Sequence, residues 1–119
     1  MNTYTDGFVV PVPKDRIEDY RKCAEAAGQV WLDHGALEYR EWIVEDTDAG
    51  DMRNFPQIAG ISEQETVVLS WITFKSREHR DEVNAKAMTD ERLANICGDN
   101  PPFDMKRMAY SGFQLLAGK

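Results

Sequence analysis

The chain contains few of the residues from which specialised sites are usually built. It has two cysteines, Cys23 and Cys97, and two histidines, His34 and His79, among 119 residues. Neither pair has the spacing of a zinc site, and the sequence contains no HExxH or CxxC motif. Two cysteines are also too few for a disulfide scaffold, so we predict that both are reduced thiols. We accordingly expect no metal and no other cofactor.

Basic charge and long apolar runs are scarce as well. The 21 acidic residues outnumber the 14 basic ones, which gives a formal net charge of −7 and a pI near 4.8. Such a surface repels phosphate backbones and anionic lipids, so we expect neither nucleic acid nor a membrane as a partner. No segment approaches the roughly 18 apolar residues of a membrane helix, and the first residues lack the basic region of a signal peptide. The sequence therefore predicts a cytoplasmic protein.

The strand predicted over residues 65–74 is apolar on both faces. Ser76 ends it and starts a charged helix, in which His79 occupies the position where a capping box has Glu or Gln. The strand also lacks the Lys, Arg and Gly of an RNA-recognition strand, which argues against that class of protein. Both faces of the sheet need a covering layer. Alternation places three apolar side chains on each face, Val67, Leu69 and Trp71 on one, and Val68, Ile72 and Phe74 on the other.

The remaining segments alternate between strands and helices. Residues 3–12 form a predicted strand, in which Asp6-Gly7 indicates a bulge or the close approach of another backbone, and Pro11 and Pro13 end it. Residues 14–33 form the most regular predicted helix, with Gly35 as its left-handed cap. Four further elements are predicted: a strand over 36–46, a long polar loop over 47–64, a helical turn over 90–96 and a last strand over 106–117.

This order of elements, strand, helix, strand, strand, helix, strand, is that of the ferredoxin-like fold. The chain is long enough for one such domain, which takes in residues 1–119. We predict an α+β domain whose two helices cover one face of a four-stranded antiparallel sheet. Because the other face is apolar and has no helix left to cover it, we expect a homodimer in which the two sheets meet and bury roughly 800 Å² on each subunit.

Several runs of the sequence resemble a bacterial family. They are TDGFVVPVPKDRIEDYRK (5–22), HGALEYRE (34–41), NFPQ (54–57), ETVVLSWITFKSREHRDEVNAK (65–86) and the closing PFDMKRMAYSGF (102–113). Over nearly its whole length the chain is similar to the YbaA-like proteins, whose function is unknown. The resemblance implies the dimeric α/β-barrel superfamily, which includes cofactor-independent monooxygenases, haem-degrading enzymes and ligand binders. It supplies no substrate and no catalytic residues, because a fold does not determine a function.

Aromatic residues supply the candidate ligand pocket. We predict that it lies between helix 14–33 and the sheet, under the loop 47–64. The alternative is that these aromatics form an ordinary core, which is their more usual role at such spacing. The candidate lining residues are Tyr20, Trp31, Trp42, Trp71 and Tyr110.

Two further residues are candidates on the grounds of charge or titration. His34, at the end of helix 14–33, is a candidate base, although a histidine there is also stabilised by the helix dipole. Arg107 is a candidate for binding an anionic ligand if it faces inward. An internal ion pair with Asp6 or Asp104 is the favoured alternative, because buried charges are usually paired.

Together these patterns predict a homodimer that binds a small apolar or aromatic molecule. If the protein is an enzyme, the chemistry to expect is oxidation of an activated aromatic without a cofactor. The alternative is a non-enzymatic structural or interaction protein that acts through its dimer or partner surface. Stabilisation by small molecules favours the first hypothesis, whereas a retained protein partner without a small molecule favours the second.

Overall fold

A four-stranded antiparallel sheet and three α-helices make up the computed structural model, which describes residues 3–118. The prediction of an α+β domain with such a sheet is confirmed. Short 3₁₀ turns lie at Lys14–Arg16, Glu91–Asn95 and Met105–Arg107. The strands are β1 (Tyr4–Pro13), β2 (Glu38–Ile43), β3 (Glu65–Phe74) and β4 (Ala109–Gln114), and the helices are α1 (Ile17–Asp33), α2 (Phe55–Ala59) and α3 (Arg77–Met88).

The two long apolar strands, β1 and β3, lie at the centre of the sheet, whose strand order is β2, β3, β1, β4. On one face of the sheet, Val10 packs in a cluster with Ala24 of α1. On the same face, Phe74 packs in a second cluster with Val83 of α3. We call this helix-covered side the inner face and the opposite side the outer face. Burial of alternate residues on the inner face explains why β3 keeps the boundaries predicted from its sequence.

The first strand is continuous through Asp6-Gly7, so the predicted bulge is wrong. Its pairing with β3 keeps one register along the whole length of the strand. A glycine is needed because the Phe113 ring of β4 lies over Gly7, where an added Cβ would come within 3.0 Å of a ring carbon. The strand also continues through Pro11 to Pro13, beyond the predicted end. Because β4 pairs only with the first part of β1, the edge beside these prolines needs no backbone donor.

Both long helices have the end structures that the sequence indicated. Gly35, which follows the end of α1, adopts a φ of 113°, as expected for a left-handed cap. At the start of α3 the Ser76 hydroxyl accepts a hydrogen bond from the His79 amide at 3.0 Å. The His79 ring returns a bond, since its Nδ1 accepts from the Lys75 amide at 3.0 Å. The imidazole therefore takes over part of the role that a carboxylate plays in a capping box.

The segment 47–64 contains a helix and lies on the outer face, so its predicted role as a cover for the ligand pocket is wrong. The helix α2 begins with a complete capping box, in which Asn54 and Gln57 each accept a hydrogen bond from the other's amide at 2.9 Å. Gly60, with a φ of 64°, ends it. The helix contacts β3 and β1. Local capping thus converts a polar stretch into a partial cover for the outer face.

The rest of the outer face carries large apolar side chains that the single chain leaves open. Trp42 is 45% exposed and Phe113 is 55% exposed. The Trp42 and Trp71 rings lie side by side, with centroids 5.5 Å apart.

Within residues 3–118, no helix has the length and apolar character needed to cross a membrane.

The two cysteines form a disulfide, which overturns the prediction of reduced thiols. The Cα atoms of Cys23 and Cys97 are 5.0 Å apart, within the ordinary range for such a bond. The bond ties α1 to the segment after the 3₁₀ turn Glu91–Asn95, across 74 residues of sequence. Two isolated cysteines give no local signal of pairing, because only the return of the chain over α1 brings them together.

Candidate ligand cavity

A cavity of about 750 Å³ lies between α1, α3 and the inner face of the sheet. Small-molecule sites in proteins have volumes of roughly 300 to 1,000 Å³, so this cavity is of ligand size. Its side chains come from both helices, from the sheet and from the segment between α3 and β4. Most of them are apolar or aromatic, and they include Phe8, Trp31, Ile72, Leu93, Phe103 and Met108.

Helix periodicity and a close helix–strand contact shape this cavity. On α1, Tyr20, Ala27 and Trp31 lie on one stripe that faces the sheet and lines the cavity. The helix approaches β2 closely at Gly28, where an added Cβ would stand 2.5 Å from a ring carbon of Tyr39. The missing side chain therefore lets the Tyr39 ring pack directly against the helix backbone. This contact explains a glycine inside an otherwise regular helix, where it costs about 1 kcal/mol relative to alanine.

A buried ion pair lies on the β1 side of the cavity. Asp6 is 2% exposed, and its Oδ1 accepts a hydrogen bond from Arg80 Nη1 at 2.9 Å. The Tyr110 hydroxyl donates to the same oxygen at 3.0 Å and accepts from Arg80 Nη1 at 2.6 Å. Burial, followed by the hydrogen bond to Asp6, raises the pKa of Tyr110. The phenol therefore stays protonated, and the carboxylate is balanced by the guanidinium.

A second carboxylate lies on the β2 side, between two tyrosines. The Tyr20 hydroxyl donates to Glu41 Oε1 at 2.7 Å, and the Tyr39 hydroxyl donates to Oε2 at 2.5 Å. All three side chains line the cavity. Burial, and after it the charge of Glu41, raise the pKa of both tyrosines well above that of a free phenol. The two phenols therefore act as fixed donors that hold the carboxylate in place.

One hydrogen bond joins the two helices at the side of the cavity away from the sheet. The Trp31 indole N–H donates to Asn84 Oδ1 on α3 at 2.9 Å. Both residues line the cavity. The bond orients the indole and satisfies its only donor, as a partly buried tryptophan requires.

The structure brings together three of the predicted pocket residues and separates the others from them. Tyr20, Trp31 and Tyr110 all line the cavity. Trp71 lies on the outer face, where its indole N–H donates to Glu38 Oε1 at 2.7 Å. The Trp42 ring packs against the Trp71 ring on that same face, at a tilt of 45°. Strand alternation explains the separation, because the neighbours of Trp71 on β3 face inward and a side chain between them must face outward.

Arg107 also lies outside the cavity, and its partner is neither of the predicted ones. Arg107 forms a bidentate ion pair with Glu65, in which Nη2 donates to Oε1 at 3.0 Å and Nη1 donates to Oε2. The next residue, Met108, faces the cavity instead. Strand alternation is not the cause, because Arg107 ends a 3₁₀ turn and β4 begins only at Ala109, inside the strand predicted over 106–117. Met108, which is partly buried, is the inward-facing residue of the two.

The Arg107–Glu65 pair predicts a loss of stability in acid. Hydrogen bonds from Arg107 lower the pKa of Glu65 from 4.5 to about 2 in the folded protein. The unfolded chain then binds the proton more tightly, so the stabilisation is complete above pH 4.5 and is lost as the pH falls toward 2. We expect Glu65→Gln to be less stable by about 1 kcal/mol at pH 7, a modest value because the arginine is partly exposed to water.

Denaturant unfolding of Glu65→Gln and of the parent protein at a series of pH values checks this prediction. The difference between the two proteins should be constant from pH 5 to 7 and vanish near pH 2. Glu63→Gln is the matched control, since Glu63 is an exposed carboxylate in the same loop. A difference that persists undiminished at the acid end would contradict the proposed ion pair.

The candidate base His34 is bonded away from the cavity. It is the C-cap residue of α1, and its Nε2 lies 2.8 Å from Asp90 Oδ2. Arg92 binds the same aspartate at 2.9 Å, and it lowers the pKa of Asp90 well below the usual range. His34 therefore belongs to a charged network at the end of the helix. Among the residues that the structure describes, no three His, Cys, Asp or Glu side chains converge as metal ligands would.

Sequence reasoning missed several polar residues of the cavity. Glu41 reads as one more charge on a short strand, and Arg80 and Asn84 read as solvent-facing positions on a charged helix. Their partners lie on other elements and are far away in the sequence. A detectable signal existed for Tyr39 and Glu41, because alternation along the strand places both on the same face as Leu37 and Ile43.

The fold and the cavity together define the class: a small α+β protein with an apolar, ligand-sized cavity that holds two carboxylates. More particularly, the chain belongs to the family described as "Protein of unknown function (DUF1428)", whose model matches residues 3–105. It is 41% identical over 113 residues to "Uncharacterized protein YbaA" of Escherichia coli strain K12, across 95% of this chain and 96% of the relative. "Uncharacterized protein YbaA" of Shigella flexneri matches with the same identity and coverage. The resemblance to the YbaA-like proteins is thereby confirmed.

Proposed function

We propose that this protein binds a small apolar or aromatic molecule in the cavity between α1 and the inner face of the sheet. The cavity itself carries the proposal, because a space of about 750 Å³ with mainly apolar walls is of the size and character of a ligand site. Its few polar groups, Asp6, Glu41 and their tyrosine partners, are held by hydrogen bonds. They can orient a ligand without having to move.

Two matched variants of α1 test this proposal. Ala27 lines the cavity, whereas its neighbour Ala26 is exposed and faces away from it. We expect neutral aromatic molecules to raise the melting temperature of the parent protein and of Ala26→Phe, but not that of Ala27→Phe, in which the added ring occupies the cavity. Failure of a broad panel of aromatic compounds, with haem included, to stabilise the parent protein would contradict the proposal.

The proposed assembly is a homodimer of ferredoxin-like subunits, the arrangement of a dimeric α/β barrel. The outer face supports it, because α2 covers only part of that face, and Trp42 on β2 and Phe113 on β4 are about half exposed. Large apolar side chains gathered on one face of a sheet are the usual mark of an interface. A second copy of the same face would cover them symmetrically.

Leu69→Lys tests the dimer, since Leu69 lies at the centre of the outer face, paired with Trp42 and Val9. We expect sedimentation to show dimers of the parent protein at micromolar concentration and monomers of this variant. Leu32→Lys is the control, because Leu32 is an exposed leucine of α1, on the helix layer. A folded, monomeric parent protein at that concentration would contradict the proposed assembly.

Catalysis on the bound molecule is the enzymatic form of the proposal. Asp6 borders the cavity, and the hydrogen bonds found for it among residues 3–118 all use Oδ1, which leaves Oδ2 to accept a proton from a ligand. The proposed reaction converts an activated aromatic CH₂ to a carbonyl: O₂ supplies the carbonyl oxygen, and its second oxygen leaves as water with the two hydrogens. Measurement of oxygen uptake by the parent protein with such substrates tests this reaction. If Asp6→Asn consumed oxygen as fast as the parent protein, the proposed role of Asp6 would be contradicted.

The alternative function is that of a non-enzymatic interaction protein, in which the outer face binds a different protein. The exposed side chains of α2, such as Phe55 and Ile58, favour it, because they extend the apolar surface beyond the sheet. A partner retained by the parent protein but lost from Leu69→Lys, without any co-purifying small molecule, would support this alternative.

The cytoplasmic location predicted from the sequence likewise stays a proposal. The disulfide weighs against it, because such bonds persist mainly in oxidising compartments.

A further inference from the structure

We infer that the ligand of the cavity is an organic cation, an amine with an aromatic or apolar body, and that Glu41 binds its charged group. The inference rests on the proposed function, since it specifies the class of molecule that the same cavity takes. It follows from the charges around the cavity, from the fixed position of the Glu41 carboxylate and from the aromatic character of the walls.

The cavity walls carry an excess of one negative charge. Among residues 3–118, the lining side chains include two carboxylates, Asp6 and Glu41, and no lysine, arginine or histidine. Arg80 balances Asp6 at 2.9 Å. For Glu41, by contrast, no cationic group lies within 4.0 Å among the residues that the structure describes. A partly buried carboxylate without a countercharge is unfavourable, so a cation that enters the cavity gains free energy from it.

The basic side chain that shares a second groove with Glu41 does not provide this countercharge. Glu41 also borders a second groove, at the edge of the inner face between α1 and β2, which is lined by Arg21 and Glu25. Arg21 is paired with Glu18 on the same helix at 3.1 Å and is largely exposed. Since Glu25 contributes a negative charge to the groove, the surroundings on that side do not reverse the sign of the site.

The position of the carboxylate suits the binding of a cation. The hydroxyls of Tyr20 and Tyr39 bind one oxygen each, which fixes the plane of the carboxylate and leaves a lone pair on each oxygen for a further donor. An ammonium group is a donor without acceptors, so it complements a carboxylate that already has two phenol donors. A second anion would be repelled by the same group.

The walls suit the rest of such a molecule. Aromatic rings attract cations through their faces and also pack against apolar bodies. A charged ammonium head that binds Glu41 would thus lie beside rings, while its tail fills the apolar remainder of the cavity. Six aromatic side chains line the space, Phe8, Tyr20, Trp31, Tyr39, Phe103 and Tyr110.

A matched pair of probes tests the inference. Phenethylamine is protonated at pH 7, and phenethyl alcohol has the same ring and chain length without the charge. We expect the parent protein to bind the amine about tenfold more tightly than the alcohol in titration calorimetry at low salt, the ratio that corresponds to about 1.4 kcal/mol. Equal affinity of the two probes, or tighter binding of the alcohol, overturns the inference without the need for a variant.

Variants then assign the preference to one residue. Glu41→Gln should lower the ratio of the two affinities to about one. Glu45→Gln removes the same charge from an exposed position on that strand's continuation, and it should keep the ratio. Should Glu41→Gln fail to fold, Tyr39→Phe gives a second test. It leaves the charge of Glu41 in place and removes one donor, so it must keep the preference for the amine.

The results separate the two levels of the proposal. If the alcohol and other neutral aromatics bind but the amine has no advantage, the small-molecule function stands and the cationic ligand is wrong. If neither probe nor any neutral aromatic binds, both are wrong. A preference for the amine that survives in Glu41→Gln overturns the role of Glu41.

Discussion

We expect Asp6→Asn to lower the free energy of unfolding by about 3 kcal/mol, since removing one partner of a buried ion pair leaves the other uncompensated. Asp6 is 2% exposed, and the Arg80 side chain that it binds is 12% exposed. Asparagine keeps the volume but carries no charge, so it cannot balance the guanidinium. The Tyr110 hydroxyl also loses a charged acceptor. Urea unfolding at pH 7 and at one protein concentration measures the change.

Asp81→Asn is the matched control for this prediction. Asp81 binds the same arginine, through Nε at 2.8 Å, but its side chain is 61% exposed. Its loss should change the unfolding free energy by less than about 0.5 kcal/mol, as is typical of surface pairs. A double-mutant cycle with Arg80→Met gives the coupling, and the double variant should be more stable than the sum of the single changes predicts. Equal effects of Asp6→Asn and Asp81→Asn would contradict the buried pair.

Reduction of the disulfide is the second change with a large expected effect. We expect it to lower the free energy of unfolding by about 3 kcal/mol, because the bond restricts an unfolded chain across a long loop. The bond joins Cys23 to Cys97 over 74 residues. Cys23 is buried and borders the cavity, so reduction also removes the covalent link that holds this part of the cavity wall to the segment at Cys97. Unfolding curves with and without a thiol reductant measure the change.

A double variant provides the control for the disulfide. Cys23→Ala with Cys97→Ala should be as unstable as the reduced protein, and its unfolding should not respond to the reductant. Thiol titration under denaturing conditions should find no free thiol in the parent protein before reduction and two afterwards. Two free thiols in the protein as purified without reductant would show that the cysteines are not paired.

Elements with strong local signals were predictable from the sequence. The boundaries of β3 follow from a run of apolar residues between turn-forming segments, and α1 follows from a stripe with helical spacing. Ser76 and Gly35 marked helix ends for local reasons, since their conformations and capping bonds involve near neighbours. The short helix α2 was missed because its capping box lies in a segment without an apolar stripe.

The candidate site was only partly predictable. Tyr20, Trp31 and Tyr110 were found because aromatic residues at regular spacing must face a core or a pocket. Arg80 was missed, since it is one of many charged residues and only its partner distinguishes it. Glu41 was missed although alternation places it on the same face as Tyr39. Alternation along β3 shows that Trp71 shares a face with Val67 and Leu69. Because β3 is apolar on both faces, alternation does not show which face meets the helices.

Local patterns in the sequence specify the four strands and the two long helices, and they show that the sheet is apolar on both faces. These properties depend on residues close together in the chain. The tertiary structure decided which charges are paired, which cysteines meet and where the cavity lies. Arg80 reaches Asp6 across 74 residues and Tyr39 packs on Gly28 between two elements. Such contacts depend on how the elements stack, and no local pattern of residues encodes the order of that stacking.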